Sequence, residues 1–258
     1  MKYLLLASIA LLPAWSAASA QDSDDFRVRV GLGAQLQPEF IGADDTEIGP
    51  LWDLDFARGD NQFDFEAPDD GFSIPVISTE GFSFGPVASI APKRSNKDVG
   101  RPVGKVPTTF ELGAFAEFMA TESIRLRADA RRGLGGHDGF VGAVGADHIW
   151  RDGDRYVVSI GPRARFSDAR YQRAYFGVTP AAALASGLPA YRPDGGLHAI
   201  GATTGMSYQL NDRWGLFGFG SYDRLVGDAG RSPIVRQLGS RNQLSAGAGV
   251  SYTFTIQR

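Results

Sequence analysis

Residues 26–36 read FRVRVGLGAQL, and their alternation decides the fold class. Val28, Val30, Leu32, Ala34 and Leu36 fall on one face, with Arg27, Arg29, Gly31, Gly33 and Gln35 on the other. Successive side chains of an extended chain point to opposite sides, so a period of two marks a strand with one apolar and one polar face. The pattern recurs. Residues 48–56 set Trp52, Leu54 and Phe56 against Asp53 and Asp55. Residues 106–118 set Phe110, Leu112, Ala114, Ala116 and Phe118 against Glu111, Gly113 and Glu117. Residues 124–131 set Ile124, Leu126, Ala128 and Ala130 against Arg125, Arg127, Asp129 and Arg131. Residues 156–166 set Tyr156, Val158 and Ile160 against Arg155, Ser159 and Arg163, and residues 244–254 set Ala246, Ala248, Val250, Tyr252 and Phe254 against Ser245, Gly247, Gly249 and Ser251.

Turn formers separate these segments. Asp152-Gly153-Asp154 and Asn211-Asp212 read as tight hairpin turns, and Asp60-Asn61 with Asp69-Asp70-Gly71 bound a short strand carrying Phe63 and Phe65. Longer polar connections run over 92–105, 168–195 and 227–242. Glycine makes up 33 of 258 residues, about twice its usual share, which argues against a helical protein because an interior helical Gly costs about 1 kcal/mol. The chain has no Cys, which removes disulfides, thiolate metal sites and cysteine nucleophiles. A formal charge of −3 lacks the basic excess of a nucleic-acid-binding domain.

The first twenty residues read as a secretory signal peptide: Lys2, an apolar run over 4–15, then Ala18-Ser19-Ala20 before Gln21. The run is too short to span about 30 Å of hydrocarbon. Asp22, Asp24 and Asp25 form a solvated start, and residues 21–258 carry no composition break that demands a second domain. Alternation alone suits either a soluble sandwich or a membrane barrel, whose polar face is turned inward. The export signal, the glycines, and aromatics expected at strand ends (Trp52, Trp150, Tyr156, Trp214, Tyr222, Tyr252, Phe254) favour the barrel. The expected fold is therefore all-β, an antiparallel transmembrane barrel of about twelve strands with short periplasmic turns and long extracellular loops.

Chemistry is sparse. His137-Asp138 sits beside Gly135-Gly136 in a turn, and no Ser stands in a nucleophile elbow, so His137, His148 and His198 read as solvated turn or lumen residues. They also lack metal-ligand spacing, and Asp44-Asp45 lacks a calcium pattern. No cofactor is implied. Arg125, Arg127, Arg131, Arg155, Arg163 and Arg165 with Glu111, Glu117 and Asp129 suggest a charged lumen lining: either a selective pore or, as favoured here, a lumen plugged by ion pairs. Pro92–Asp98, with Lys93, Arg94 and Lys97, reads as a solvated loop rather than a lipopolysaccharide contact.

A distinctive series begins at Asp168: Tyr171, then Tyr175-Phe176-Gly177-Val178, then Ser186-Gly187, Tyr191, Tyr222, Leu225, Gly227-Asp228, Ser232-Pro233, Gly239-Ser240 and Gln243. With the early Pro38-Glu39-Phe40-Ile41-Gly42, this series resembles the MipA/OmpV family of outer-membrane proteins. The resemblance covers essentially the whole mature chain. It implies an outer-membrane barrel in a Gram-negative bacterium. In one branch it implies a scaffold joining a lytic transglycosylase, a murein hydrolase, to a murein synthase. It carries no catalytic residues. The motif residues are either structural or a folded loop pair presenting a partner surface. One departure stands out: barrels of this kind usually end on an aromatic residue, whereas Thr255 to Arg258 follow Phe254 here. The expected function is thus a non-enzymatic scaffold, with a narrow solute channel, an outer-membrane hydrolase and a soluble periplasmic sandwich as alternatives.

Overall fold

The computed structural model describes residues 25–256. The expected signal peptide, Asp22, Asp24, Gln257 and Arg258 lie outside the described residues. In chain order the strands are β1 (Phe26–Pro38), β2 (Thr46–Arg58), β3 (Phe72–Ser73), β4 (Ile77–Thr79), β5 (Phe82–Ala91), β6 (Thr109–Thr121), β7 (Ile124–Leu134), β8 (Phe140–Asp152), β9 (Tyr156–Ser167), β10 (Gly196–Gln209), β11 (Trp214–Leu225) and β12 (Asn242–Ile256). Five short helices lie in the long connections: α1 (Asn96–Val99), α2 (Ala169–Phe176), α3 (Pro180–Ser186), α4 (Gly227–Arg231) and α5 (Pro233–Leu238). Among the described residues no helix is long and apolar enough to cross a membrane.

All pairs are antiparallel, and the sheet runs β2-β1-β12-β11-β10-β9-β8-β7-β6-β5-β3, with β4 also on β5. The first and last strands pair from Phe26↔Ile256 to Leu36↔Ala246, and the sheet curls toward a barrel with β2 and β3 at its two edges. β3 and β4 occupy one position in the wall, because Ile74 N–H and Val76 N–H continue the ladder to β5 on either side of Pro75. Thr255 pairs Arg27 and Ile256 pairs Phe26, so these two residues after Phe254 lengthen the last strand.

The alternation has the inverted sense expected of a membrane wall. Leu32, Ile48, Trp52, Leu112, Leu126, Ile160 and Val250 are exposed on the outside. Arg29, Glu111, Arg125, Arg127, Asp147, Ser159 and Arg163 are buried inside. At the end with short turns an aromatic row forms, in which Trp214 and Tyr252 rings lie 4.9 Å apart and Tyr252 and Phe254 rings 4.8 Å apart. Trp52 departs from the expectation: it pairs Leu32 in mid-strand, not at a strand end.

Two other expectations are corrected. Phe63 and Phe65 do not form a strand; residues 59–71 leave β2 at the short-turn end and return through the lumen to β3. Residues 92–108 are not merely a solvated loop. Ser95 caps α1 by accepting from Lys97 and Asp98 N–H while Asp98 reaches back to Ser95 N–H, and Arg94 is almost fully buried.

Candidate functional site

The lumen is built from the polar faces of β6 to β11 and from the returning segment 59–71. Arg125 is the hub. Its Nη1 lies 2.7 Å from Asp70 and 3.2 Å from Glu117, and its Nη2 lies 2.7 Å from Asp147. Arg127 joins Glu117 at 3.1 Å and Asp70 at 3.3 Å. Arg163 links Asp69 at 2.9 Å to Asp147 at 2.7 Å, and Arg165 links Asp69 at 2.8 Å to Asp223 at 3.0 Å. Arg131 lies 2.9 Å from Asp129 and 3.5 Å from Glu111, as an ion pair without hydrogen-bond alignment. Each arginine thus sits between carboxylates, which is what a desolvated charge requires. Gly145 makes this possible on β8: a Cβ there would stand 2.9 Å from the Arg163 guanidinium.

Arg125, Arg127, Arg163, Arg165 and Glu117 join one network, and Arg131, Glu111 and Asp129 form a separate cluster on the same inner face; Arg155 joins neither. That residue is exposed at the β8–β9 turn, 3.9 Å from Asp152. Asp69, Asp70, Asp147 and Asp223 were missed from sequence. Asp69 and Asp70 resembled turn formers, and only the path of 59–71 brings them inside. Aromatic faces complete the plug: Arg29 stacks on Phe63 at 4.5 Å and Arg125 on Phe65 at 4.6 Å. Beside it remains a cavity of about 270 Å³ lined in part by Asp53, Glu66, Phe65, Ser207, Phe217 and Phe219.

At the long-loop end the four longest connections fold into a cap. Its core contains Val106, Tyr171, Tyr175, Phe176, Leu225, Ala229 and Val235, and a second cluster holds Phe40, Val99, Val178, Leu188 and Ile234. Asp168 caps α2 through Arg170 and Tyr171 N–H. Thr179 caps α3, whose first residue is Pro180 and whose last turn closes on Gly187 in the left-handed region at φ 77°. Ser232 caps α5 and donates its hydroxyl to Phe176 C=O at 2.7 Å. Arg94 donates to Tyr175 C=O, and Tyr175 Oη donates to Pro92 C=O at 3.1 Å. Burial pushes the Tyr175 phenol up to about 12 and the Tyr171 phenol upward too, and brings the Arg94 guanidinium down to about 10.

The resemblance residues concentrate in this cap. Val178 pairs Tyr191, whose hydroxyl donates to Asp228 C=O at 2.9 Å. Asp228 accepts from Asp194 N–H at 2.7 Å, which holds its carboxyl below the usual range. Ser186 C=O accepts from Arg101 at 2.8 Å. Gln243 accepts from Gly42 N–H at 2.8 Å and donates to Ala43 C=O at 2.9 Å, and Ser240 N–H donates to Gly42 C=O at 2.9 Å. Gly239 packs so closely on Gly42 C=O that a Cβ would stand 1.9 Å away. Gly227 takes φ 54° where β11 turns into α4, and Pro233 is buried at the start of α5. Tyr222 is the exception, on the outer wall with its hydroxyl donating to Asn242 at 2.9 Å.

The histidines are corrected in part. His137 is buried, not solvated: Nε2 lies 3.0 Å from Glu111 and Nδ1 accepts from Gly139 N–H at 3.1 Å. His198 is buried with Nδ1 3.0 Å from Ser167 Oγ. No carboxylate is hydrogen-bonded to His198 among the described residues, so this pair lacks the third member of a triad. His148 faces outward beside Trp150, its ring 4.2 Å away. No group of three or more His, Asp or Glu with metal-binding geometry occurs among the described residues.

A family model described as MltA-interacting protein MipA matches residues 30–254. No curated protein matches the chain. Similar solved structures include an outer-membrane channel from Pseudomonas putida F1, at 9% identity and TM-score 0.44, covering 92% of this chain and 97% of that one. The KdgM porin has 10% identity and TM-score 0.37, covering 89% and 98%. The outer-membrane protein OprG from Pseudomonas aeruginosa has 12% identity and TM-score 0.28, covering 90% and 97%.

Proposed function

The chain belongs to the MltA-interacting protein MipA family, and from that premise we propose that this outer-membrane barrel is a non-enzymatic scaffold for murein hydrolase and synthase enzymes. The observation that carries the reading is the filled lumen: the ion pairs of Arg125, Arg127, Arg163 and Arg165 with Asp69 and Asp70 block the path that a transport function needs. The partner surface is the short-turn end. Long loops of such barrels face outward and short turns face the periplasm, where murein lies. The cap motif then lies on the wrong side for a murein enzyme, and its side chains are spent on packing the cap itself. Accessible groups at the short turns include Glu80, Glu122, Asp152, Arg155 and Asp212.

Photo-crosslinking from residue 122 or 212 in intact envelopes, followed by affinity capture, is expected to recover a lytic transglycosylase and a murein synthase. A prey set without any murein enzyme would overturn the scaffold. A second reading, a narrow channel, is favoured by the cavity of about 270 Å³ beside the plug. Single-channel recording in planar bilayers distinguishes it.

A further inference from the structure

Among the described residues the wall has one gap, and a segment that fits it by length and pattern lies inside the barrel. β2 pairs β1 on one edge only, and the β3–β4 position pairs β5 on one edge only, so both ends of the sheet are unpaired among the described residues. Following the antiparallel pairs round the ring, β2 and β3 run in the same direction. Unpaired backbone at a lipid-facing edge is costly, and bacterial barrels carry an even number of strands. Residues 59–71 return from the end of β2 to the start of β3, and so run antiparallel to both. They number about as many as β2 itself.

The turn for a twelfth stave is already made. Asn61 N–H donates to Arg58 C=O at 3.2 Å, and Gly59 sits at φ 58°, the positive φ of a two-residue hairpin turn. Continued from that turn, the register sets Phe63 opposite Phe56, Phe65 opposite Leu54 and Ala67 opposite Trp52. Those three β2 residues are exposed on the outside of the barrel. Phe63, Phe65 and Ala67 would therefore join the lipid face, and Asp64 and Glu66 the lumen. The alternation of Phe63-Asp64-Phe65-Glu66-Ala67 has the phase this stave demands.

We propose that residues 59–71 exchange between two seats: a plug in the lumen, and a twelfth stave that closes the seam and clears the lumen in one movement. The plug seat is held by the Asp69 and Asp70 ion pairs and by the stacking of Phe63 and Phe65 under arginines. The wall seat gains backbone pairing on two edges. It is opposed by like charges brought directly across from each other, Asp64 against Asp55 and Glu66 against Asp53. That opposition makes the balance adjustable by charge alone.

The test uses the full chain, whose lack of Cys gives a clean background. A nitroxide is placed on Phe65→Cys, with Phe56→Cys as the lipid-facing reference and Phe217→Cys as the lumen reference. Collisional access is read with oxygen and with a water-soluble nickel chelate, on heat-modifiable, folded barrels in liposomes. In the otherwise native chain the label is expected to be mainly lumen-like. Adding Asp64→Lys and Glu66→Lys, which converts both repulsions into attractions, should move at least half of the population to the lipid-like value and raise conductance at least tenfold in planar bilayers. A label that stays lumen-like in that folded variant overturns the proposal. The readout needs no murein enzyme, so its failure is separate from failure of the scaffold.

Discussion

Arg125 shows how much of the lumen rests on single residues. Its side chain is 1% exposed and is shared by Asp70, Glu117 and Asp147. Arg125→Met leaves three carboxylates near one another without their common cation, at a cost on the order of 3–5 kcal/mol. Urea unfolding in detergent, followed by loss of heat-modifiable migration, should show that drop. Arg155→Met in the same assay should change stability by less than about 1 kcal/mol, because its pair with Asp152 is solvent-exposed. Tyr175 makes the matching point in the cap. Tyr175→Phe removes one hydrogen bond, worth about 1 kcal/mol, and keeps the packing. The phenol's raised pKa also sets a direction with pH. Its contribution is whole below the usual tyrosine value near 10, and is lost as pH rises toward its folded value of about 12. Protection from hydrogen exchange across residues 168–195, relative to the intrinsic rate at each pH, should therefore fall between about pH 10 and pH 12, and Tyr175→Phe should blunt the fall. Arg125 and Glu117 were legible as lumen residues because a strand's period of two assigns faces without further information. Asp70 was not, because a polar pair beside Gly71 carries no sign of whether the chain turns outward or inward.

At the scale of elements, the strands were easier to read than the helices. β1, β7 and β12 repeat their alternation over eleven or more residues, whereas α2, α3 and α5 have eight, seven and six. Helices that short are marginal by themselves and are stabilised by tertiary packing. Their end signals were nonetheless present: Asp168 before α2, Thr179-Pro180 before α3 and Ser232-Pro233 before α5. Asp168→Ala and Ser232→Ala should each cost about 1 kcal/mol locally. Protease added outside intact cells should then nick 168–195 or 227–241 before any strand. α1 carries its own pH dependence. Hydrogen bonds from Ser95 hold the Asp98 carboxyl below its usual value. Its support for the cap is full above the usual carboxylate range near pH 4, and is lost as pH falls through the depressed value.

At the scale of the whole molecule, the barrel and the cap divide the work. The wall presents apolar side chains to lipid, the lumen is filled by paired charge, and the long connections pack into a hydrophobic lid whose core shares no residue with the ion-pair network. The protein from purified outer membranes should accordingly migrate faster unheated than boiled in detergent gels; release by a salt wash would contradict a wall of transmembrane strands. By itself the sequence determined the long alternating strands, their faces and the class of fold, because alternation and turn residues are local and are written where they act. The ordered motif after Asp168 also pointed to the family without any coordinates. Only the tertiary structure decided what fills the barrel. The course of residues 59–71 depends on carboxylates at 69 and 70 meeting arginines more than fifty residues away in the chain, and on a stave that its own alternation suits for the wall. Such a choice between two seats is a balance of long-range charge, stacking and edge pairing, and no local pattern records which side of that balance prevails.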